Sequence, residues 1–507
     1  MVSKFILTDA ARKNPEGQVS PAAFFRLALS QEPEIPFFPS LSNLVIIDAN
    51  ASLSYLELFL TPSLKSLEVL RIPDAQQTTL FAFLVSLAEK ALELQTFILG
   101  PGRFPPSSLQ IIPQFNSLCH LELKNEDPNL PLAFFETIGS LPKLETLILD
   151  ARHVSSIVSI NQSNSMEKPT IPPNPDNFPD ANSMDGKSNE DGAANVLLSQ
   201  TISTSGTFNQ LSKLHVVGWL PLLEDLIPRI MSTRLEDISV TLIRFSYDEV
   251  WAKAEEEEER KRQKRQREAG KLGRQSTLTT LKSNEELKSL TNLSFDAHTV
   301  SFTELLRLLF HRWTISLKIV SVCQLSGSFQ CLLKPSTLPE EIFQKLLLLP
   351  AIESLEVKGW GLNSVESVLN VTESIPNLKS LLLPLGRINS GISLPTLRRV
   401  AEICPKLELF QCNIQSLALI PEYTVPTTET LFHGLRTLSI GNLCPHPDSK
   451  KLYLIARHLD LLFPHLEKIT TSEGHNAEQW VVVDELVKMC QTARMDERYR
   501  LSLTSGR

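Results

Sequence analysis

One arrangement of apolar positions recurs along the chain: apolar-x-x-apolar-x-x-apolar-x-apolar. Phe115-Asn-Ser-Leu118-Cys-His-Leu121-Glu-Leu123 shows it, as do Leu141-Pro-Lys-Leu144-Glu-Thr-Leu147-Ile-Leu149, Ile375-Pro-Asn-Leu378-Lys-Ser-Leu381-Leu-Leu383 and Phe432-His-Gly-Leu435-Arg-Thr-Leu438-Ser-Ile440. The last two apolar residues, two apart, point to one side of a short strand, and the residue between them points to the other. The first two, three apart, turn the chain into that strand. About seventeen further residues complete a unit, enough for roughly three helical turns running back on the opposite side. Helical spacing predicts such returns at Leu305, Leu306, Leu308 and Leu309, and at Leu452, Ile455, Ala456 and Leu459.

Taking the third apolar residue of each unit as a marker gives Leu44, Leu70, Phe97, Leu121, Leu147, Leu214, Ile238, Leu293, Val320, Leu355, Leu381, Phe410, Leu438 and Ile469. Most steps lie in or near the 20 to 29 residues of a leucine-rich repeat; the exceptions are 67 (147 to 214) and 55 (238 to 293). The expected fold is α/β, a leucine-rich-repeat solenoid with a curved parallel sheet inside and helices outside. No unit can bury its own apolar face, so units stack and the ends need caps. The expected division is an N-terminal cap at 1–35, five units at 36–154, two at 208–250, seven at 285–473, and a capping helix with a tail at 474–507. Residues 155–207, rich in Ser, Asn, Pro, Asp and Gly and without a period, are predicted to be a disordered insertion. Residues 251–284 place five glutamates ahead of RKRQKRQR. Their i,i+4 pairs predict a solvated helix; the other reading is a nuclear-localisation or nucleic-acid patch.

Composition narrows the function classes. A net charge of -8 argues against a broad nucleic-acid footprint. The most apolar long stretch, 302–322, is broken by Glu304, Arg307, His311, Arg312 and Lys318, so no membrane span is predicted. The N-terminus lacks the apolar core of a signal peptide, and the seven cysteines include no C-x-x-C pair, which together predict an intracellular protein, cytoplasmic or nuclear. Signatures of nucleotide binding, serine nucleophiles and zinc proteases are absent, and the expectation is a protein with no catalysis, metal or cofactor. Gly100-Pro-Gly102-Arg103 reads as a turn, Cys444-Pro-His446 as a loop, and Cys404 and Cys412 as core residues.

The residues placed to act are those beside the strand markers, which form a ladder on the concave side. They are Arg71, His120, Glu122, Lys124, Asp150, Lys213, His215, Asp237, Asn292, Asp296, Glu356, Lys358, Gln411 and Asn413. Trp219 and Trp360, in the matching contexts Val216-Val-Gly-Trp219 and Val357-Lys-Gly-Trp360, are expected at the rim, where an aromatic could anchor a protein partner.

The units FPSLSNL, LPKLETL, IPNLKSL, CPKLELF and FPHLEKI resemble the ribonuclease-inhibitor-like repeats of F-box proteins, particularly the fungal sets, over roughly residues 36–495. The resemblance implies a substrate-recognition subunit of a cullin-RING ubiquitin ligase, docked through an F-box on the Skp1 adaptor. No F-box opening motif precedes the repeats; LPEE at 338–341 is the one similar string and falls between units. Two other roles stay open: a scaffold or inhibitor, and a regulator resembling leucine-rich GTPase-activating proteins.

Overall fold

A computed structural model describes residues 3–8, 26, 37–47, 53–71, 77–104, 106–126, 129–131, 134–153, 156–158, 207–244, 302, 304–326, 345–346, 348–360, 365–383, 392–414, 433–441, 449–471 and 477–505. Its strands are β1 (Lys4–Thr8), β2 (Asn43–Ile47), β3 (Ser66–Leu70), β4 (Thr96–Gly102), β5 (His120–Asn125), β6 (Asn129–Pro131), β7 (Thr146–Asp150) and β8 (Ser156–Val158). These are followed by β9 (Lys213–Gly218), β10 (Asp237–Arg244), β11 (Ile319–Ser326), β12 (Ser354–Lys358), β13 (Ser380–Leu382), β14 (Leu409–Cys412), β15 (Thr437–Ile440) and β16 (Lys468–Thr471). All but β6 and β8 form one 14-stranded sheet in chain order, and every neighbouring pair is parallel.

The connections carry α1 (Gln77–Lys90), α2 (Pro106–Leu109), α3 (Phe134–Gly139), α4 (Leu220–Leu226), α5 (Val365–Ser374), α6 (Leu394–Ile403) and α7 (Ser449–Leu462), with α8 (Ala477–Ser505) closing the chain. Local chemistry sets their ends. Ser393 caps α6 by accepting the Thr396 N–H at 3.2 Å, and Pro395 in the first turn forgoes an N–H that the helix could not use. Not every return is a three-turn helix: residues 53–59, 112–114 and 227–229 form 3-10 turns instead.

Strand residues alternate between core and open face as the apolar pattern requires, with Leu121 and Leu123 buried beside half-buried Glu122 and Lys124. The buried Leu, Ile, Val and Phe residues form one continuous core along the sheet. A backbone spine runs beside it. Two residues before each marker, one carbonyl accepts two successive N–H groups of the following unit: Ser3 takes Ser42 and Asn43, Ser42 takes Lys65 and Ser66, Lys65 takes Gln95 and Thr96. The series continues to Arg436, which takes Glu467 and Lys468, all at 2.7–3.2 Å. It satisfies, unit by unit, the donors that the turn into each strand would otherwise bury unpaired.

The spine and the register correct several expectations. Leu44 pairs with Leu67 and Leu67 with Phe97, so the second unit's marker is Leu67 rather than Leu70. β10 pairs with β11 directly over eight residues, leaving no place between them for a unit at Leu293, which lies outside the described residues. The expected cap at 1–35 contributes the sheet's first strand, β1. The segment expected to be disordered from 155 begins with β8, which pairs with β6. Gly100 and Gly102 belong to the bulged end of β4 rather than to a turn. Residues 251–284 and Cys444-Pro-His446 lie outside the described residues.

The excursion between β10 and β11 leaves the stack unbroken. The Trp313 Nε1–H donates to the Ser232 carbonyl at 2.7 Å, and Arg312 donates to the Ile230 carbonyl at 2.8 Å. At the far end α8 covers the last strand. Its own Trp480, Val483 and Val487 are buried, and Asp484 accepts the Ile469 N–H at 2.9 Å, a group on the edge of β16 that faces away from β15.

Two core histidines are held neutral. His433 accepts the Leu435 N–H through Nδ1 at 3.1 Å, which leaves Nε2–H to donate to the Cys404 carbonyl at 2.7 Å. His458 on α7 is pulled by burial down to about 4, partly offset by a hydrogen bond with the Leu394 backbone. The unfolded chain takes up this proton near pH 6.5, whereas the folded chain refuses it until about pH 4. The contribution is therefore complete above pH 6.5 and is lost as pH falls, by about 3 kcal/mol at most. A His458→Gln variant should show a flatter stability profile between pH 6.5 and 4 in urea titrations. Equal slopes for the two proteins would contradict the assignment.

Candidate partner-binding face

The open face of the sheet carries three rows of side chains in register. The middle row reads Ile6, Val45, Glu68, Ile98, Glu122, Ile148, His215, Ser239, Ser321, Glu356, Leu382, Gln411, Ser439 and Thr470. Strand spacing places successive members about 4.8 Å apart. His120, Lys213 and Asp237 stand in the row before it, and Lys124, Asp150 and Lys358 in the row after it. The sheet thus brings most of the predicted ladder onto one surface.

One predicted member stands elsewhere, and two are not among the described residues. Arg71 follows β3, four residues after the marker Leu67, and has a left-handed backbone (φ 59°). Asn292 and Asp296 lie outside the described residues. Gln411 is on the face but turns its amide to the Leu383 carbonyl at 3.0 Å, closing the gap where β13 ends early; half-buried Asn413 follows β14.

The two tryptophans separate. Trp360 is 1% exposed and stacks on Phe302 with ring centres 5.7 Å apart, so it is core rather than a rim anchor. Phe302 reaches it from the far side of the long excursion, a contact that the local context Val-Lys-Gly-Trp does not announce. Trp219 is half-buried at the start of α4 and packs against the core edge.

Several charges on the face have polar partners there. Lys124 meets Glu122 at 2.7 Å, Arg152 grips Asp150 with Nε and a terminal nitrogen, and His215 lies 3.2 Å from Asp237. Lys358 pairs with Glu356, which also accepts the Ser321 hydroxyl at 2.6 Å. Burial draws the His120 pKa down, against the pull of Glu122. The result is a face of paired charges and hydroxyls, interrupted by aliphatic side chains.

Those aliphatic positions are what the polar ladder overlooked. Ile98, Ile148 and Leu382 are half-buried on the open face, and Ile6 is 52% exposed. The signal was present: in Phe97-Ile98-Leu99 and Leu147-Ile148-Leu149 three apolar residues run together, and in a strand only the outer two can face the core.

The cysteines of the core are unreactive. Burial pushes Cys404 up to about 11 and Cys412 up to about 12, so neither supplies a thiolate near neutral pH. Among the described residues no group of three or more His, Cys, Asp or Glu could hold a metal ion, and no helix is long and apolar enough to cross a membrane. No family model matches the chain, and no curated protein matches it.

Proposed function

We propose that the chain is a non-catalytic leucine-rich-repeat solenoid that holds a protein partner along its open face. In its most concrete form it is an F-box-type substrate receptor of a ubiquitin ligase, or a relative lacking the F-box. The observation that carries this reading is the middle row from Ile98 to Ile148. Two half-buried isoleucines stand two strands apart, beside the ion pairs Lys124–Glu122 and Arg152–Asp150. Such a face offers apolar contact and hydrogen bonding but little net field, which suits a folded or peptide partner better than a polyanion.

The test is affinity capture from native cells with the wild-type chain and with an Ile98→Lys, Ile148→Lys double variant. Neither substitution disturbs the core, because both side chains are on the open face. Each buried lysine in a contact centre should weaken binding by about 2 kcal/mol or more, roughly 30-fold. Skp1 and a cullin recovered with both proteins, beside a further protein lost with the variant, would support the ligase form. A partner lost with the variant in the absence of Skp1 would support a scaffold or inhibitor. Identical partners for both chains would overturn the open-face reading.

A further inference from the structure

Seven consecutive units carry a charged residue at the spine position, and its sign alternates throughout: Glu236, Lys318, Glu353, Lys379, Glu408, Arg436, Glu467. The shared backbone hydrogen bonds set these side chains on adjacent rungs of one rim, about 4.8 Å apart. Three neighbouring pairs close as ion pairs: Lys318 with Glu236 at 2.9 Å, Lys379 with Glu353 at 2.6 Å, and Arg436 with Glu467 at 3.4 Å. Two of the intervening neighbours interact as well. The hydrogen bond from Lys379 holds the Glu353 carboxyl below its usual range, with Lys318 on the other side adding to it, and Glu408 joins Glu353 in raising the Lys379 ammonium. In the earlier units the same position reads Ser3, Ser42, Lys65, Gln95, Cys119, Glu145 and Ser212, with no alternation.

The alternation starts where the chain leaves the sheet after β10. Glu236 and Lys318 are adjacent on the rim although 82 residues apart in sequence. Loop-closure entropy depends only weakly on length, so it does not tell β11 which unit edge to join. The apolar signature, repeated from unit to unit, discriminates poorly too.

We propose that the alternating rim is a stacking code, which accepts the next unit in order and rejects an arrangement that skips one. Skipping one unit sets glutamate beside glutamate, or cation beside cation, on adjacent rungs. Each exposed pair contributes little alone. A skipped unit, however, sets like charges together where the correct order sets opposite ones, so that attraction turns into repulsion. The code concerns how the chain assembles and holds whatever the open face binds.

The full chain, refolded from denaturant by dilution into low salt (about 20 mM) and high salt (about 500 mM), tests this, because screening acts over about one Debye length. The readout is the fraction recovered as folded monomer by size-exclusion chromatography. Glu353→Lys places cations on three successive rungs and should lower recovery at low salt by roughly 3-fold, with recovery restored at high salt. Inverting all seven signs keeps the alternation and should refold like the wild type. Combining Glu353→Lys with Lys379→Glu restores opposite signs within that pair but sets like charges against Lys318 and Glu408, and should refold as poorly as the single variant. Wild-type recovery of Glu353→Lys at low salt, rescue by the pair swap, or an inversion as poor as the single reversal would each overturn the proposal.

Discussion

Replacing Arg494 with alanine should loosen the C-terminal helix and lower stability by about 3–5 kcal/mol, the loss expected when one partner of a buried ion pair is removed. Arg494 lies 2.6 Å from the Asp460 carboxylate, and the two side chains are 18% and 8% exposed. The same guanidinium donates to the Asp460 carbonyl at 3.1 Å and the Pro464 carbonyl at 3.0 Å. One side chain therefore ties α8 to both the end of α7 and the turn that leads into β16. Burial pushes the Asp460 carboxyl up, and Arg494 is among the groups that pull it back. Without the arginine a buried carboxylate has lost its main counter-charge. In the variant the folded chain then holds a proton that the unfolded chain does not, so part of the loss returns as pH falls toward that raised value. Asp460→Asn in the same background should likewise recover part of it. Hydrogen exchange locates the effect: the Ile469 N–H, held by Asp484 of α8, should lose protection first. A loss below about 1 kcal/mol, with Ile469 still protected, would show that α8 is held mainly by its apolar face.

Gly359→Ala should be nearly as damaging, at about 3 kcal/mol or more. Gly359 has a left-handed backbone (φ 75°), and a Cβ built there would lie 1.9 Å from the Gln324 carbonyl oxygen and 2.8 Å from its carbon. Both are backbone atoms of β11, so relief requires moving a central strand. Gly218 occupies the matching place in Val-Val-Gly-Trp, but the sole tight contact there is the Leu222 Cδ2 at 2.9 Å, the movable end of a side chain. Gly218→Ala should therefore cost less than about 1 kcal/mol. Urea unfolding of the two variants side by side decides the point, and equal losses would contradict it.

The two glycines illustrate what the sequence could and could not say. Periodic leucines announce strands, their facing and their parallel stacking, because burial of each unit depends on those positions. Frame is a different matter. Leu64, Leu67, Leu70 and Ile72 satisfy the apolar pattern as well as the frame that the protein uses, and the two differ by three residues. Backbone hydrogen bonds accepted by the Ser42 and Lys65 carbonyls decide between them, and those leave no mark on side-chain polarity. Leu287, Leu290, Leu293 and Phe295 satisfy the pattern too, yet β10 and β11 are already neighbours. Trp360 and Trp219 share a local context but differ in burial, because the partner of Trp360 is Phe302, distant in sequence. On the open face, polarity pointed to Glu122 and Lys124, which are occupied with each other, and away from Ile98 and Ile148, which are not so engaged.

Site-specific photocrosslinking of the captured complex shows whether the open face is the partner surface. A photoreactive residue at position 98 or 148 probes the open face, and one at position 89, an exposed glutamate on α1, probes the helical side. A partner held on the open face should crosslink from 98 and 148 and not from 89. Crosslinks from 89 alone would contradict it and place the partner on the helices.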